Sequence, residues 1–306
     1  MQQKLIKLID ALSGNLVERK DVIQLSLLTM IAGENLILIG PPGTAKSEIG
    51  RRMSQVIKDV DYYEYLLTKF TTPEEIFGPL SIKELKEGNF KRNTQGYLPT
   101  SNVVFLDEIF KANSAILNSL LTIINEKTFH NGKDKEKAPL VSLIGASNEL
   151  PIGDDELSAL YDRFLVRKFV GYVSEKNIDD LFHIQTEEFK LDENLKFTID
   201  EIKSLQKEIQ NVEIPQKIIE IIKNIRSAIR QEFKENMDES FSDRRLVKIQ
   251  KLLKSSAFTN NRQEVNISDV VLLKHCLWNN PENRDKISAL INSEIKQMTR
   301  NKNDYQ

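Results

Sequence analysis

Cysteine is nearly missing: the 306 residues contain one, Cys276. A single thiol excludes an internal disulfide framework and fits a reducing compartment, so a cytoplasmic setting is expected. Glycine and proline are also scarce, at 12 and 9 residues. That shortage favours long helices over a turn-rich β architecture. No apolar run approaches the ~18 residues of a membrane span. The opening MQQKLIKLIDAL has no continuous apolar stretch and carries Asp10, which predicts an amphipathic helix and no secretory signal. Neither charge is in excess, since 43 basic and 45 acidic side chains leave a net charge of −2. The balance holds in both halves, with 21 basic and 22 acidic residues over 1–170 and 22 and 23 over 171–306. Neither half is a polycation, which disfavours a sequence-independent grip on nucleic acid. His130, His183 and His275 lack metal-ligand spacing.

What is present suits a mixed α/β chain long enough for two domains of ~100–200 residues each. Leu36–Ile39 (LILI), Val103–Leu106 (VVFL) and Leu140–Ile144 (LVSLI) are short, β-rich runs that suit buried strands. Tyr62–Leu67 and Phe164–Val170 are expected as a fourth and a fifth. Helical spacing covers Ala45–Ile57 and Ser114–Ile124 between them. Strand–helix alternation of this kind implies a mainly parallel sheet with helices on both faces. After Gly171 the strand-like runs stop and amphipathic helices take over, with start signals at Ser174, Ser242 and Ser268. The chain therefore divides into an α/β nucleotide domain at 1–172 and an all-α lid at 173–306. Lys234–Ser240 is charged, poor in apolar residues, and expected as a loop.

The strongest chemical signal is Gly40-Pro41-Pro42-Gly43-Thr44-Ala45-Lys46-Ser47, directly after LILI and directly before a helix. That context makes it a P-loop. Its glycines let backbone approach phosphates, and its consecutive N–H groups and helix N-terminus attract the anion. Lys46 would reach the β- and γ-phosphates, and Ser47 would ligate Mg²⁺. Ala45 stands where the general pattern has glycine, which predicts a negative φ there, as in a first helical turn. Val103-Val-Phe-Leu-Asp-Glu108 then puts Asp107 at the C-terminal end of a buried strand, where open α/β sheets bind ligands. Asp107 would hold the Mg²⁺ shell and Glu108 would act as general base. Asn148 ends a third strand. It is either a γ-phosphate and water contact or a turn residue.

Together these stretches resemble the AAA+ ATPases, and within them the MoxR family, over nearly the whole chain. GPPGTAKS, FTTPEEIFGPLSI (70–82), TQGYLP (94–99), VVFLDEIFKAN (103–113), ASNELP (146–151), LYDRFLVR (160–167) and SDRRL (242–246) carry the likeness. FGPLSI, LYDR, SDRR and VVLLKHCLW are most similar to the family's RavA branch, of which only the ATPase module is matched. The family's own P-loop carries alanine before the lysine. The resemblance implies ATP and Mg²⁺ as ligands. It implies sensor 1 at Asn148, an arginine finger at Arg163 with Arg167 as the fallback, and sensor 2 at Arg244 with Arg245 as the fallback. It also implies an adenine contact through Val17 in Leu16-Val-Glu-Arg19. Residues 78–97 resemble a helix-2 insert facing a pore, and 127–139 a hairpin before sensor 1. The Asn131-Gly132 pair independently predicts a tight turn, and the run 133–137 a solvated hairpin tip.

The expected function is thus ATP-driven remodelling or maturation of a partner protein by a ring, a hexamer. The implied partner carries a von Willebrand factor A (VWA) domain. Two rivals differ in class. A nucleic-acid motor of the helix-2-insert group would show salt-dependent DNA binding. A non-hydrolysing nucleotide switch would tolerate losing Glu108, Asn148, Arg163 and Arg244, all of which are present.

Overall fold

The structure, a computed structural model, describes residues 1–151, 155–184, 188–234, 239 and 242–300. Its described strands are β1 (Leu36–Ile39), β2 (Tyr62–Leu66), β3 (Val103–Asp107), β4 (Thr128–Asn131), β5 (Asp134–Lys137), β6 (Ser142–Ser147) and β7 (Val166–Phe169). Five of them form one parallel sheet in the order β2-β3-β6-β1-β7. β1, β6 and all of β3 but its last residue are buried, and the LILI and VVFL runs of β1 and β3 are hydrophobic because both faces of these strands are covered. The third strand starts two residues later than its apolar run predicts and continues through Gly145-Ala-Ser147, small residues that pair with β1.

Helices α1 (Gln2–Ser13), α2 (Lys20–Ile31), α3 (Lys46–Ser54), α4 (Pro73–Phe77), α5 (Ile82–Lys86), α6 (Ser114–Glu126) and α7 (Asp155–Tyr161) accompany the sheet. α3 packs close to β3 through Gly50, where an added Cβ would lie 2.3 Å from the Phe105 ring. α4 begins in a Thr72–Glu75 capping box with Pro73 at its first position. α6 is capped by Asn113, whose side chain accepts from Ile116 N–H. β4 and β5 form a separate antiparallel hairpin. The charge run expected at its tip instead forms β5, and the two-residue turn is Gly132-Lys133, with Gly132 at φ +66°. Asn131 is buried at the end of β4, where its side chain accepts from Arg92 N–H (2.7 Å) and donates to Arg92 O (3.1 Å). Those two bonds join the hairpin to the 78–97 insert, which contains α5 and is pinned at its base by Ser81 N–H donating to Lys91 O.

Past β7 come α8 (Ile178–Leu181), α9 (Ile199–Gln210), α10 (Gln216–Glu232), α11 (Asp243–Thr259), α12 (Ile267–Val270) and α13 (Arg284–Arg300), and no strand follows among the described residues. The connection into α9 doubles back on the α/β part: Phe197 N–H donates to Val56 O, and Gln55 brackets Phe189 and Leu191. Ser242 caps α11 as expected from its SDRR context. The start expected at Ser268 belongs to Asn266, whose side chain accepts from Ser268 N–H while Asp269 closes the box. Lys234–Ser240 lies largely outside the described residues. No helix among the described residues is long and apolar enough to cross a membrane. α9 and α11 pack on α2, and Lys248 and Lys251 of α11 both pair with Glu34, just before β1. The bundle therefore meets the α/β part near the N-terminal end of β1, and Arg284 of α13 also lies over Phe169 at the other end of β7.

Candidate nucleotide site

Parallel pairing brings the ends of β1, β3 and β6 to one edge, so three polar signals far apart in sequence become neighbours. The 40–47 loop joins β1 to α3 and borders a cavity of about 280 Å³ lined also by Asp107, Glu108 and Asn148. Lys46 is buried, and its ammonium donates to Gly40 O (2.8 Å), Pro41 O (2.8 Å) and Asn148 Oδ1 (2.9 Å). Burial lowers its pKa, while Asp107 and Glu108 pull the other way. Ser47 Oγ donates to Asp107 Oδ2 at 3.1 Å. Asn148 Nδ2 donates to Glu108 Oε1 at 2.5 Å, and Lys111 Nζ stands 3.5 Å from Glu108 Oε2. An ammonium, an amide and a carboxylate thus form one continuous line across the strand ends.

The loop's backbone departs from expectation at one position. Ala45 has φ +66°, in the left-handed region, not the negative value of a first helical turn. It is the residue before α3, where the chain must turn its N–H groups inward. Glycine is the low-cost choice there, and alanine is held in the conformation by its surroundings. Gly43, at φ +76°, has open space where a Cβ would be. Glu108 is also left-handed, at φ +51°, and its amide donates to Asp107 Oδ1. Strained residues of this kind gather at functional sites.

Val17 is half-buried in the turn between α1 and α2. Its neighbours tie that turn to both the P-loop and the entry to the lid. Buried Arg19 donates to Thr44 O (3.1 Å) and Gly171 O (2.7 Å), while Glu18 accepts from Ser174 N–H (2.9 Å) and Asn177 Nδ2 (2.6 Å). Sequence reasoning assigned no role to Arg19 or Lys111. Lys111 was open to detection as an i,i+3 partner of Glu108. Arg19 had no local signal, because its acceptors lie 25 and 152 residues away.

The four arginines separate sharply. Arg167 is fully buried, donates to Trp278 O (2.6 Å) and Tyr161 O (3.2 Å), bonds Asn279 Oδ1, and lies over the Tyr161 ring. Desolvation, with Arg245 nearby, takes its pKa down to about 10. Arg245 is likewise buried, on Asp162 Oδ1 (2.7 Å) and Asn279 Oδ1 (3.0 Å). Both are struts between β7 and the helical part, spent on partners within the chain. Arg163 is half-buried beside Asp162 (3.5 Å), and burial and then Arg244 lower its pKa. Arg244 is exposed at the start of α11. Neither Arg163 nor Arg244 lines the cavity of its own chain.

A parallel sheet with a P-loop after β1, an acidic pair at the end of β3 on the far side of β6, and an all-α C-terminal part define a P-loop nucleotide-binding module of the AAA+ class. Residues 3–207 match the model of the MoxR domain in the MoxR-vWA-beta-propeller ternary systems, and 217–291 match an AAA lid domain. The chain belongs to the MoxR family of AAA+ ATPases. Two uncharacterised proteins of Methanocaldococcus jannaschii, MJ0812 and MJ0079, are each 42% identical, over 93% and 95% of this chain and 74% of each relative. The structural protein ORF618 of Acidianus two-tailed virus is 32% identical over 54% of this chain and 27% of its own length. A crystal structure of a candidate ATPase from Cytophaga hutchinsonii shares the fold, with TM-score 0.72 and 19% identity over 96% of this chain and 94% of that one.

Proposed function

We propose that the chain hydrolyses ATP with Mg²⁺ in a hexameric ring and uses the energy to remodel or mature a partner protein that has a VWA domain, in the cytoplasm. The observation that carries the reading is the polar line at the strand ends, with Ser47 Oγ 3.1 Å from Asp107 Oδ2 and Lys46, Asn148 and Glu108 bonded in series beside them. The donor set fits the ligands. Ser47 and Asp107 are hard oxygen donors suited to Mg²⁺, which takes one or two protein oxygens and the rest from phosphate and water. When bound, the metal neutralises charge on the β- and γ-phosphate oxygens.

The chain's own residues supply the remainder. Lys46, capping Gly40 O and Pro41 O, exchanges these carbonyls for phosphate oxygens, and the N–H groups of 43–47 complete the cradle. Val17 packs on the adenine. Glu108 accepts the proton of the attacking water, and Asn148, bonded to both Lys46 and Glu108, orients base and water against the γ-phosphate. Arg163 and Arg244 adjoin each other away from their own cavity, which supports their serving the nucleotide of the next subunit as finger and sensor 2. The burial of Arg167 and Arg245 favours Arg163 and Arg244 in those roles. The partner assignment rests on the matched family model, named for systems that combine MoxR and vWA components.

Glu108→Gln tests the reading. The amide keeps shape and loses the base, so turnover should fall ~10²–10⁴-fold while ATP affinity stays within a few-fold. ATP trapped in the assembled protein should retain the partner on affinity purification. Near-normal turnover would remove Glu108 as the base.

A further inference from the structure

The helical part contains a groove that its own chain leaves open. Between α10 and α11 a cavity of about 420 Å³ has an apolar floor that includes Ile222, Leu246 and Ile249, and its rim carries Lys223, Arg226 and Lys254. No acidic side chain lines it among the described residues. Arg226 pairs with Asp243 at 2.7 Å and Lys254 donates to Gln210 O at 2.9 Å, so two of the rim cations are held in place. An apolar floor under a cationic rim fits a segment with the opposite pattern, apolar side chains flanked by carboxylates.

The chain displays such a segment. Asp179 and Asp180 are exposed on α8, and the side chains after them are apolar and uncovered: Leu181 42%, Phe182 82% and Ile184 38% exposed. Phe182 is among the most exposed large apolar residues of the molecule, and it does not line the groove of its own chain. Exposed aromatic area of this kind marks an interaction site.

We propose that the groove between α10 and α11 receives the 178–184 segment of a neighbouring copy. Phe182 enters the apolar floor, and Asp179 and Asp180 face Lys223, Arg226 and Lys254. Groove and segment are different surfaces, so the contact is head-to-tail, the kind that generates a closed ring when the rotation permits. The proposal rests on the ring reading above and names one contact within it.

Charge reversal tests it. Lys223→Glu with Lys254→Glu makes one variant, and Asp179→Lys with Asp180→Lys makes the other. Sedimentation across a concentration series with ATP and Mg²⁺ reads assembly. Each variant alone should need at least tenfold more protein to assemble than wild type, and Phe182→Ala should behave likewise. An equimolar mixture of the two reversed variants should assemble near the wild-type concentration, because every groove in an alternating ring then meets a segment of opposite charge. Because all these side chains are at the surface, thermal melting should match wild type. Unchanged assembly of the variants, or a mixture no better than its components, would overturn the contact while leaving the ring reading intact. Wild type that stays monomeric at every concentration would overturn the ring reading itself.

Discussion

Lys46 is the residue on which nucleotide affinity should turn. It lies buried between three oxygen acceptors, with Asp107 and Glu108 close by. In Lys46→Ala the incoming phosphates lose their principal cation, and charge-assisted hydrogen bonds contribute about 1.5–3 kcal/mol each. Titration calorimetry should show ATP affinity reduced at least tenfold, and affinity within a factor of two of wild type would remove the P-loop assignment. Ala45 makes the opposite kind of prediction. A left-handed alanine costs about 1–2 kcal/mol, and glycine removes that cost while gaining unfolded-state entropy of about 0.4–1 kcal/mol. Ala45→Gly should therefore stabilise the fold by roughly 0.5–1 kcal/mol in urea unfolding. A loss of stability would mean that packing of the methyl group outweighs the backbone term.

At the scale of elements, the junction of α6 and the helical part holds an unusual cation. Lys127 ends α6 in a left-handed conformation, and its buried Nζ has no hydrogen-bond partner. Burial pushes its pKa down to about 8, opposed by Glu34 and assisted by Lys248 and Lys251. The unfolded value is ~10.4, so the folded chain holds this proton less tightly. Below pH 8 the side chain is charged in both states and folding bears the full desolvation cost. Between about pH 8 and ~10.4 the folded state sheds the proton first, so this site makes stability rise with pH in that window. Lys127→Met should raise stability at pH 7 by about 1–3 kcal/mol and flatten the alkaline rise. Denaturant midpoints of both proteins from pH 7 to 10 would show it, and parallel curves would refute it. Glu34 keeps Lys248 and Lys251 as partners in that variant.

For the whole molecule, the proposed role of Arg163, which does not line its own cavity, would tie turnover to assembly. An arginine supplied in trans contributes ~10³–10⁵ in rate where it acts on a γ-phosphate. Arg163→Ala should bind ATP nearly as wild type does yet turn it over slowly at any concentration. Lys46→Ala should hold nucleotide at least tenfold more weakly but retains its own Arg163. Mixed rings of the two should recover part of the activity, because some intact sites then adjoin a subunit that still carries the arginine. Specific activity of wild type should also rise with protein concentration as composite sites form. Full activity in Arg163→Ala, or concentration-independent wild-type turnover, would end this reading.

The sheet, the P-loop and the acidic strand end were legible in the sequence because each is written in contiguous residues. LILI before GPPGTAKS and VVFL before Asp-Glu combine a buried strand with the chemistry at its tip, and parallel pairing puts those tips together. Asn148 was ambiguous until β6 was seen beside β1 and β3. The sign of φ at Ala45 was not legible, since the surroundings of the loop impose it. Asn131 was readable as a turn residue, whereas its bonds to Arg92 depend on a segment 39 residues earlier. The arginines show the difference most clearly. The resemblance could only rank Arg163 above Arg167 and Arg244 above Arg245, whereas in the structure Trp278 and Asn279 bury Arg167 from 111 and 112 residues away. Asp162 and Asn279 similarly enclose Arg245 across 83 and 34 residues. Local sequence determined which side chains could act on a phosphate. Tertiary packing decided which remained available, because a cation enclosed by distant carbonyls and carboxylates has its hydrogen bonds already made.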